Sequence, residues 1–288
     1  MGFFASVNGS VVPAEEARVS VLDNGFIFGD AVYETLRTYG GRPFELGRHL
    51  TRLRASAARL GFSIPEDDRE LKERLIALLA RAANAESYIR LIVSRGLGDI
   101  SYHFERVGRP TVVMVVKPFE PYPDSAYGDG IDVAVVDVRR NHPRALDPAI
   151  KSCNLLNNIL AVREAQARGA EEALLLNDKD ELAEGSSTNV FLVKGGTVVT
   201  PPLAAGILAG VTRDVLLGLL REQGTPGREA PVTVSDLRVA DEAFLTSSTR
   251  EVMPIRAVDG RPVGDGRPGP VTRRILAAFR AYADPGRG

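Results

Sequence analysis

One lysine in this chain stands where the surrounding pattern gives it no ordinary place. The stretch DPAIKSCNLLNNILAVREAQARG, residues 147–169, carries Leu155, Leu156, Ile159, Leu160 and Val162 at three- and four-residue spacing. That spacing predicts a core-facing helix, capped by Ser152 or Asn154 and ended by Gly169, with Lys151 just ahead of it. The 36 basic residues include only five lysines, at positions 72, 117, 151, 179 and 194. Arginine is not an amine nucleophile near neutral pH, whereas a partly desolvated lysine condenses with carbonyls. Lys72 falls on the polar face of an amphipathic helix, Lys179 and Lys194 lie in turns, and Lys117 ends an apolar strand before a proline. For Lys151 the residues leave two readings open: a Schiff-base amine, or a snorkelling lysine at a helix entrance.

Such an amine needs partners, and the sequence offers candidates. In ELAEGSSTN, Glu184 ends a strand before Gly185 and a run of hydroxyls, where its carboxylate either faces a cleft or stays solvated. GILAGVTRD brings Gly210, Val211 and Thr212 to the entry of an apolar-periodic helix. The free N–H groups there, the Thr212 hydroxyl and the helix dipole suit a phosphate; a plain N-cap by Thr212 is the alternative. TSSTR adds the hydroxyls of Ser248 and Thr249, as phosphate contacts or as a polar loop. Arg52, in HLTRLRASA, either pairs bidentately with a phosphate or is one more surface arginine.

Composition narrows the class. The chain has 288 residues, 44% hydrophobic and 25% charged, with a formal net charge of −1. This is the make-up of a globular protein of one large or two smaller domains. A near-zero charge argues against nucleic acid or an anionic membrane surface as partner. The single cysteine, Cys153, rules out an internal disulfide, and histidines at 49, 103 and 142 lack metal-ligand spacing, so no metal is expected. No apolar run approaches the roughly 20 residues of a membrane span, and MGFFASVNGS does not read as a signal segment. A cytoplasmic location is expected.

Strand-like FFASVNGSVV and AVYETLRTY precede two amphipathic helices, GRHLTRLRASAARLG and EDDRELKERLIALLARAAN, and then the β-rich SYIRLIVSRG and RPTVVMVV. KPFEPYPDSAYGDG has three prolines, two glycines and no period. It sets the expected organisation: an N-terminal domain over 1–119, a linker over 120–130 and a C-terminal domain over 131–288. Strands and helices come in runs, which reads as α+β.

Taken in order, FGDAVYETLR, HLTRLRASAARLG, IKSCNLLNNILA, ELAEGSSTNVFLV, ILAGVTR and LTSSTREVMP resemble the class IV aminotransferases, the fold-type IV enzymes that use pyridoxal 5′-phosphate. The resemblance implies that Lys151 carries the internal aldimine and shuttles the proton between the substrate α-carbon and C4′ of the cofactor. By the same resemblance Glu184 is the acid on the pyridine nitrogen and Arg52 the phosphate-binding arginine. Val211 and Thr212 are the phosphate pair at the helix start, Ser248 and Thr249 the phosphate hydroxyls, Leu208 the leucine under the ring and Tyr33 a substrate-pocket aromatic; Cys153 is structural. The implied fold is α+β and two-domain, a small N-terminal α+β domain and a larger barrel-like C-terminal domain with the cofactor between them. The implied assembly is a homodimer.

Within the family the motifs divide. IKSCNLL, EGSSTNVF and SSTREV are most similar to the D-amino-acid group, and Leu156 stands where branched-chain enzymes carry a tyrosine. The carboxylate trap of the D-group, an arginine and a histidine two residues apart, is replaced by Ile100 and Tyr102. Arg37 in VYETLR and the RGLGD element resemble the branched-chain group, so Arg37 and Arg95 are the candidates for a substrate carboxylate. The expected activity is ping-pong transfer of an amino group from an amino acid to 2-oxoglutarate or pyruvate, with D-amino-acid donors ahead of L-branched-chain ones. (R)-amine transamination and 4-amino-4-deoxychorismate lyase action are further alternatives.

Overall fold

The computed structural model describes residues 2–286. It divides into two units: Met1–Glu120 together with Ile150–Asn154, and Pro121–Ala149 together with Leu155–Gly288. The short excursion at 150–154 carries Lys151 and belongs to the first unit, whereas the sequence placed that lysine in the C-terminal domain.

In unit 1 the strands are β1 (Phe4–Val7), β2 (Ser10–Pro13), β3 (Ala31–Tyr39), β4 (Arg42–Pro43), β5 (Ser87–Ser94) and β6 (Thr111–Pro118). The helices are α1 (Asn24–Phe28), α2 (Leu46–Arg59) and α3 (Asp68–Ala82). One sheet runs β2-β1-β6-β5-β3-β4, antiparallel throughout. Asp67 starts α3 by accepting the N–H of Glu70 at 2.8 Å. Alternation splits the central strands into two faces. Val32, Leu36, Ile89, Leu91, Val93, Val112, Met114 and Val116 share a core with Leu50, Leu53, Leu71, Leu75 and Leu78 of α2 and α3. The opposite face holds the half-buried Tyr33, Thr35, Tyr88, Arg90 and Ile92.

Residues 150–154 lie along β3. Tyr33 N–H donates to the Lys151 carbonyl at 2.9 Å, Cys153 N–H to the Ala31 carbonyl at 2.8 Å, and Ser152 bridges Val32. Ile150 packs on the core.

Unit 2 contains α4 (Asp124–Asp129), β7 (Ile131–Val135), α5 (Leu156–Ala167), β8 (Glu172–Leu176), β9 (Leu182–Gly185), β10 (Asn189–Lys194), β11 (Thr197–Thr200) and α6 (Val211–Glu222). It continues with β12 (Gly227–Glu229), α7 (Val234–Arg238), β13 (Glu242–Ser247), β14 (Glu251–Val258), β15 (Arg261–Pro262) and α8 (Pro270–Ala283). The sheet path is β12-β11-β10-β13-β14-β7-β8-β9, with β15 beside β14. Five strand spacings separate β9 from β10 on that path, about 24 Å if flat. The link between them, residues 186–188, spans no more than about 14 Å. The sheet must therefore curl, which is the barrel-like character expected of this half.

Two local expectations change. The 120–130 segment is no loose linker: α4 forms within it, and Tyr122, Ala126 and Tyr127 pack on the unit 2 core. The large aliphatics of α5 do not face a core either. Leu156 is 67% exposed and Ile159 58%, while Ala161 and Ala165 are the buried residues. Small side chains let α5 lie close on the sheet, and aliphatic residues all around the helix had masked which face was inward. Neither Ser152 nor Asn154 caps it; the N-cap position is Leu155.

The stacked pair Phe191–Phe244, 5.0 Å between centroids and fully buried, anchors the unit 2 sheet. Phe244→Ala is expected to cost about 3–5 kcal/mol, read as a lowered thermal midpoint.

Candidate active site

The Lys151 main chain is fixed at both ends of the residue: its N–H donates to Ser56 Oγ of α2 at 3.1 Å, and its carbonyl takes the Tyr33 N–H. The side chain then lies over the Tyr33 ring, Nζ 4.6 Å from the centroid. Arg90 of β5 reaches the same ring, Cζ at 4.0 Å. Among the described residues neither Lys151 Nζ nor the Arg90 guanidinium has a hydrogen-bond or ion-pair partner. Lys117 on β6 adds a further cation, 5.6 Å from the Tyr88 ring. Cations held on aromatic rings without acids make a face receptive to anions. Burial pushes the Cys153 thiol up, against the opposing charges of Arg90 and Lys151. That suppresses thiolate and fits a structural cysteine.

Beneath this face, on the helix side of β3, sits Glu34, wholly buried. Arg52 clamps it bidentately, Nε to Oε1 at 2.8 Å and Nη2 to Oε2 at 2.7 Å, and His49 Nδ1 lies 2.7 Å from Oε2. Burial alone would raise the Glu34 carboxyl. The hydrogen bonds and charge of Arg52, with those of His49, outweigh it and lower the carboxyl from 4.5 to about 2. Burial pushes His49 the other way, below its ordinary value, which favours the neutral ring. Two N–H groups of Arg52 are thus committed to positioning its fork.

The two arginines marked for a substrate carboxylate are occupied differently. Arg95 donates four of its five N–H groups: two to the Asp30 carboxylate, one to the Leu60 carbonyl at 2.6 Å and one to the Gly61 carbonyl at 3.5 Å. It is a structural clamp between the end of β5 and the end of α2. Arg37 is wedged between rings, Cζ 4.2 Å from Tyr39 and 3.8 Å from Phe119, and is only 8% exposed. Arg90 is the arginine that the sequence reading missed. Its signal was available: in SYIRLIVS, Tyr88, Arg90 and Ile92 alternate against Ile89, Leu91 and Val93.

In unit 2, Glu184 is the penultimate residue of β9 and is buried. Its Oε1 accepts from Arg140 Nε at 2.8 Å; Oε2 accepts from Asn189 Nδ2 at 3.2 Å and from the Leu208 N–H at 3.0 Å. Asn157 holds Arg140 in turn, Oδ1 to Nη1 at 3.1 Å. Arg140, Asn189 and Asn157 carry no motif signal, since they act by position around the acid. Leu208 meets the site through its backbone: N–H to Glu184, carbonyl to Asn189.

Asn189 also explains Gly210. A Cβ on Gly210 would lie 1.9 Å from Asn189 Oδ1, so only glycine lets the N-terminus of α6 approach. Gly210 occupies the N-cap with no side-chain cap, and the first-turn N–H groups are left for another acceptor. Thr212 is not the N-cap; its Oγ1 is buried and unpartnered. Ser248 and Thr249 form the tight return between β13 and β14.

The match to known proteins follows this layout. Residues 31–258 fit the model of the amino-transferase class IV family. The chain belongs to the class IV aminotransferases. These enzymes use pyridoxal 5′-phosphate. Among relatives, a putative branched-chain-amino-acid aminotransferase of Methanocaldococcus jannaschii is 38% identical, the match covering 95% of this chain and 94% of that one. A D-alanine aminotransferase of Bacillus licheniformis is 35% identical over the same shares. Among solved structures, the Escherichia coli branched-chain amino acid aminotransferase superposes with a TM-score of 0.93 at 31% identity, covering 99% of this chain and 96% of that one.

Because the Glu34 carboxyl is held low, the stability it contributes is full above 4.5 and fades as pH falls toward about 2. Across that window the thermal midpoint of the native protein should fall toward that of Glu34→Gln, which has no carboxyl to titrate. Parallel curves would mean Glu34 is not held low.

Proposed function

We propose that this class IV aminotransferase moves the amino group of a branched-chain L-amino acid to 2-oxoglutarate, with its substrate carboxylate received by Arg90. The observation that carries the reading is the pair of partnerless cations on one ring: Arg90 and Lys151 over Tyr33. A carboxylate needs a cation of its own, and Arg90 offers a planar fork a few ångströms from the amine.

The residues fit the family's cofactor. A buried, unpartnered Thr212 hydroxyl at an uncapped twelve-residue helix suits a phosphate. Val211, Ser248, Thr249 and the outer edge of Arg52 complete that assignment. Glu184, its charge balanced by Arg140, suits the pyridine nitrogen, and Leu208 backs the ring. When bound, the cofactor supplies an aldehyde for amines and a ring that withdraws electrons. Lys151 supplies the amine that holds the aldehyde and, when released, accepts a proton at Nζ from one carbon and returns it to another. Tyr33 keeps Nζ on the sheet face, and the Glu34–Arg52–His49 group fixes the strand and helix beneath it.

The D-amino-acid reading is the second one. Leu156 has no hydroxyl for the cofactor, and the 35% identical relative is a D-alanine aminotransferase. Against it, Ile100 and Tyr102, 69% and 85% exposed, supply no cation where that group has one. We also assign a homodimer. Val21, Phe26, Ile100 and Phe104 are each at least 66% exposed, and large apolar side chains left in water suit a partner surface. The lone cysteine suits a reducing, cytoplasmic setting.

The test is a set of half-reactions: pyridoxal 5′-phosphate enzyme mixed separately with L-leucine, L-glutamate, D-alanine and D-glutamate while the visible absorbance is followed. L-leucine and L-glutamate should convert the bound cofactor to its amine form; conversion by the D-isomers alone would overturn the assignment. In the same assay Arg90→Met should raise the concentration of donor needed by about tenfold or more while leaving the cofactor bound. An unchanged donor dependence would remove Arg90 from the carboxylate.

A further inference from the structure

Arg250 directly follows the two hydroxyls of the β13–β14 turn, and its side chain turns back into unit 2. Nη1 pairs with Glu172 Oε2 at 2.7 Å and Nε donates to the Tyr122 hydroxyl at 2.9 Å. Its backbone is held too: the N–H donates to Ser247 Oγ at 3.1 Å and the carbonyl accepts from the Tyr127 hydroxyl at 3.4 Å. Glu172 is 1% exposed; its Oε1 accepts the neighbouring Ala173 N–H at 3.0 Å, and its remaining bonds run to the turn after Glu184. Its Oε1 accepts from the Ser186 N–H at 3.1 Å and from the Ser186 hydroxyl, and its Oε2 accepts from the Ser187 hydroxyl at 3.4 Å. One buried carboxylate thus joins the turn beyond the Glu184 strand to the turn carrying Ser248 and Thr249.

The return itself is strained. Glu251, the first residue of β14, has φ of 55°, in a region glycine would normally fill, and is buried. It is kept there by Arg280, Nε to Oε2 at 2.7 Å. A non-glycine residue persists in such a conformation only when its surroundings hold it. Arg250 on one side and Arg280 on the other do so.

We propose that Arg250 is a positioning residue: through Glu172 and Tyr122 it locks the 247–250 turn in the shape that presents Ser248 and Thr249 to the cofactor's phosphate. The inference rests on the phosphate assignment above. Arg250 itself is assigned no contact with phosphate or substrate. Its work is to hold the loop so that the hydroxyls need no ordering when the anion arrives.

Cofactor-free protein titrated with pyridoxal 5′-phosphate and, separately, with pyridoxal, which lacks the phosphate, provides the test. The native protein should prefer the phosphorylated compound strongly. Arg250→Ala should weaken pyridoxal 5′-phosphate about tenfold or more while pyridoxal stays within about twofold. Arg250→Lys, with one point charge instead of a fork, should fall in between. If the lone alanine variant fails to fold because Glu172 is stranded, Arg250→Ala with Glu172→Gln removes the buried charge and carries the same expectation. Equal losses for both compounds, or no loss for either, overturn the role of Arg250. A native protein that does not distinguish the two compounds would overturn the phosphate assignment itself, and this inference with it.

Discussion

Five residues pinned along a strand determine what the rest of the structure can do. The chain leaves unit 1 after Glu120, builds part of unit 2, returns for Ile150–Asn154 and leaves again. The return is held by main-chain bonds at Ala31 and Tyr33, the Ser56 hydroxyl and the burial of Ile150. Each hydrogen bond is worth only about 1 kcal/mol net. Together they fix the Lys151 backbone against β3 without using its side chain, so the amine is placed by the fold and remains chemically uncommitted.

The two-residue period of β3 and β5 then sorts charge by face. Glu34 points toward α2, where Arg52 and His49 neutralise and orient it. Tyr33 and Arg90 point the other way, and among the described residues Arg90 has no acid partner. In unit 2, Glu184 is surrounded by donors of its own: an arginine, an amide and a backbone N–H. Each of these buried carboxylates thus has its own set of donors, and among the described residues the Lys151 amine is in no ion pair.

Much of this was legible in the sequence. Glu184 and the Gly210–Thr212 entry stood out because chemistry demanded particular residue types beside particular element ends, and β9 does close at Gly185 and α6 does open at Val211, whereas Lys151 lies in a strap along β3 and α5 starts only at Leu156. What was hidden depends on partners distant in sequence. Arg95 and Arg90 are both strand-associated arginines, and only Asp30 and the end of α2 on one, and a bare aromatic ring on the other, tell them apart. Helix α5 misled for a different reason: aliphatic periodicity reports that a face avoids water, not which surface will cover it, and its buried contacts are alanines. Arg140 and Asn189 left no trace, because orienting an acid requires a place in space and no recurring spacing.

The strap at 150–154 has a second effect. Among the described residues, β3 is paired along its outer side with the β4 segment, from Arg37 to Tyr39, and with this strap around residues 31–33. Without the strap, the first half of the strand would offer open N–H and carbonyl groups, a template on which another chain can add. The segment that brings the amine is therefore also the seal on a sheet edge. A molecule whose strap has not docked lacks its placed lysine and exposes an open edge at once, so failure of assembly and failure of chemistry coincide.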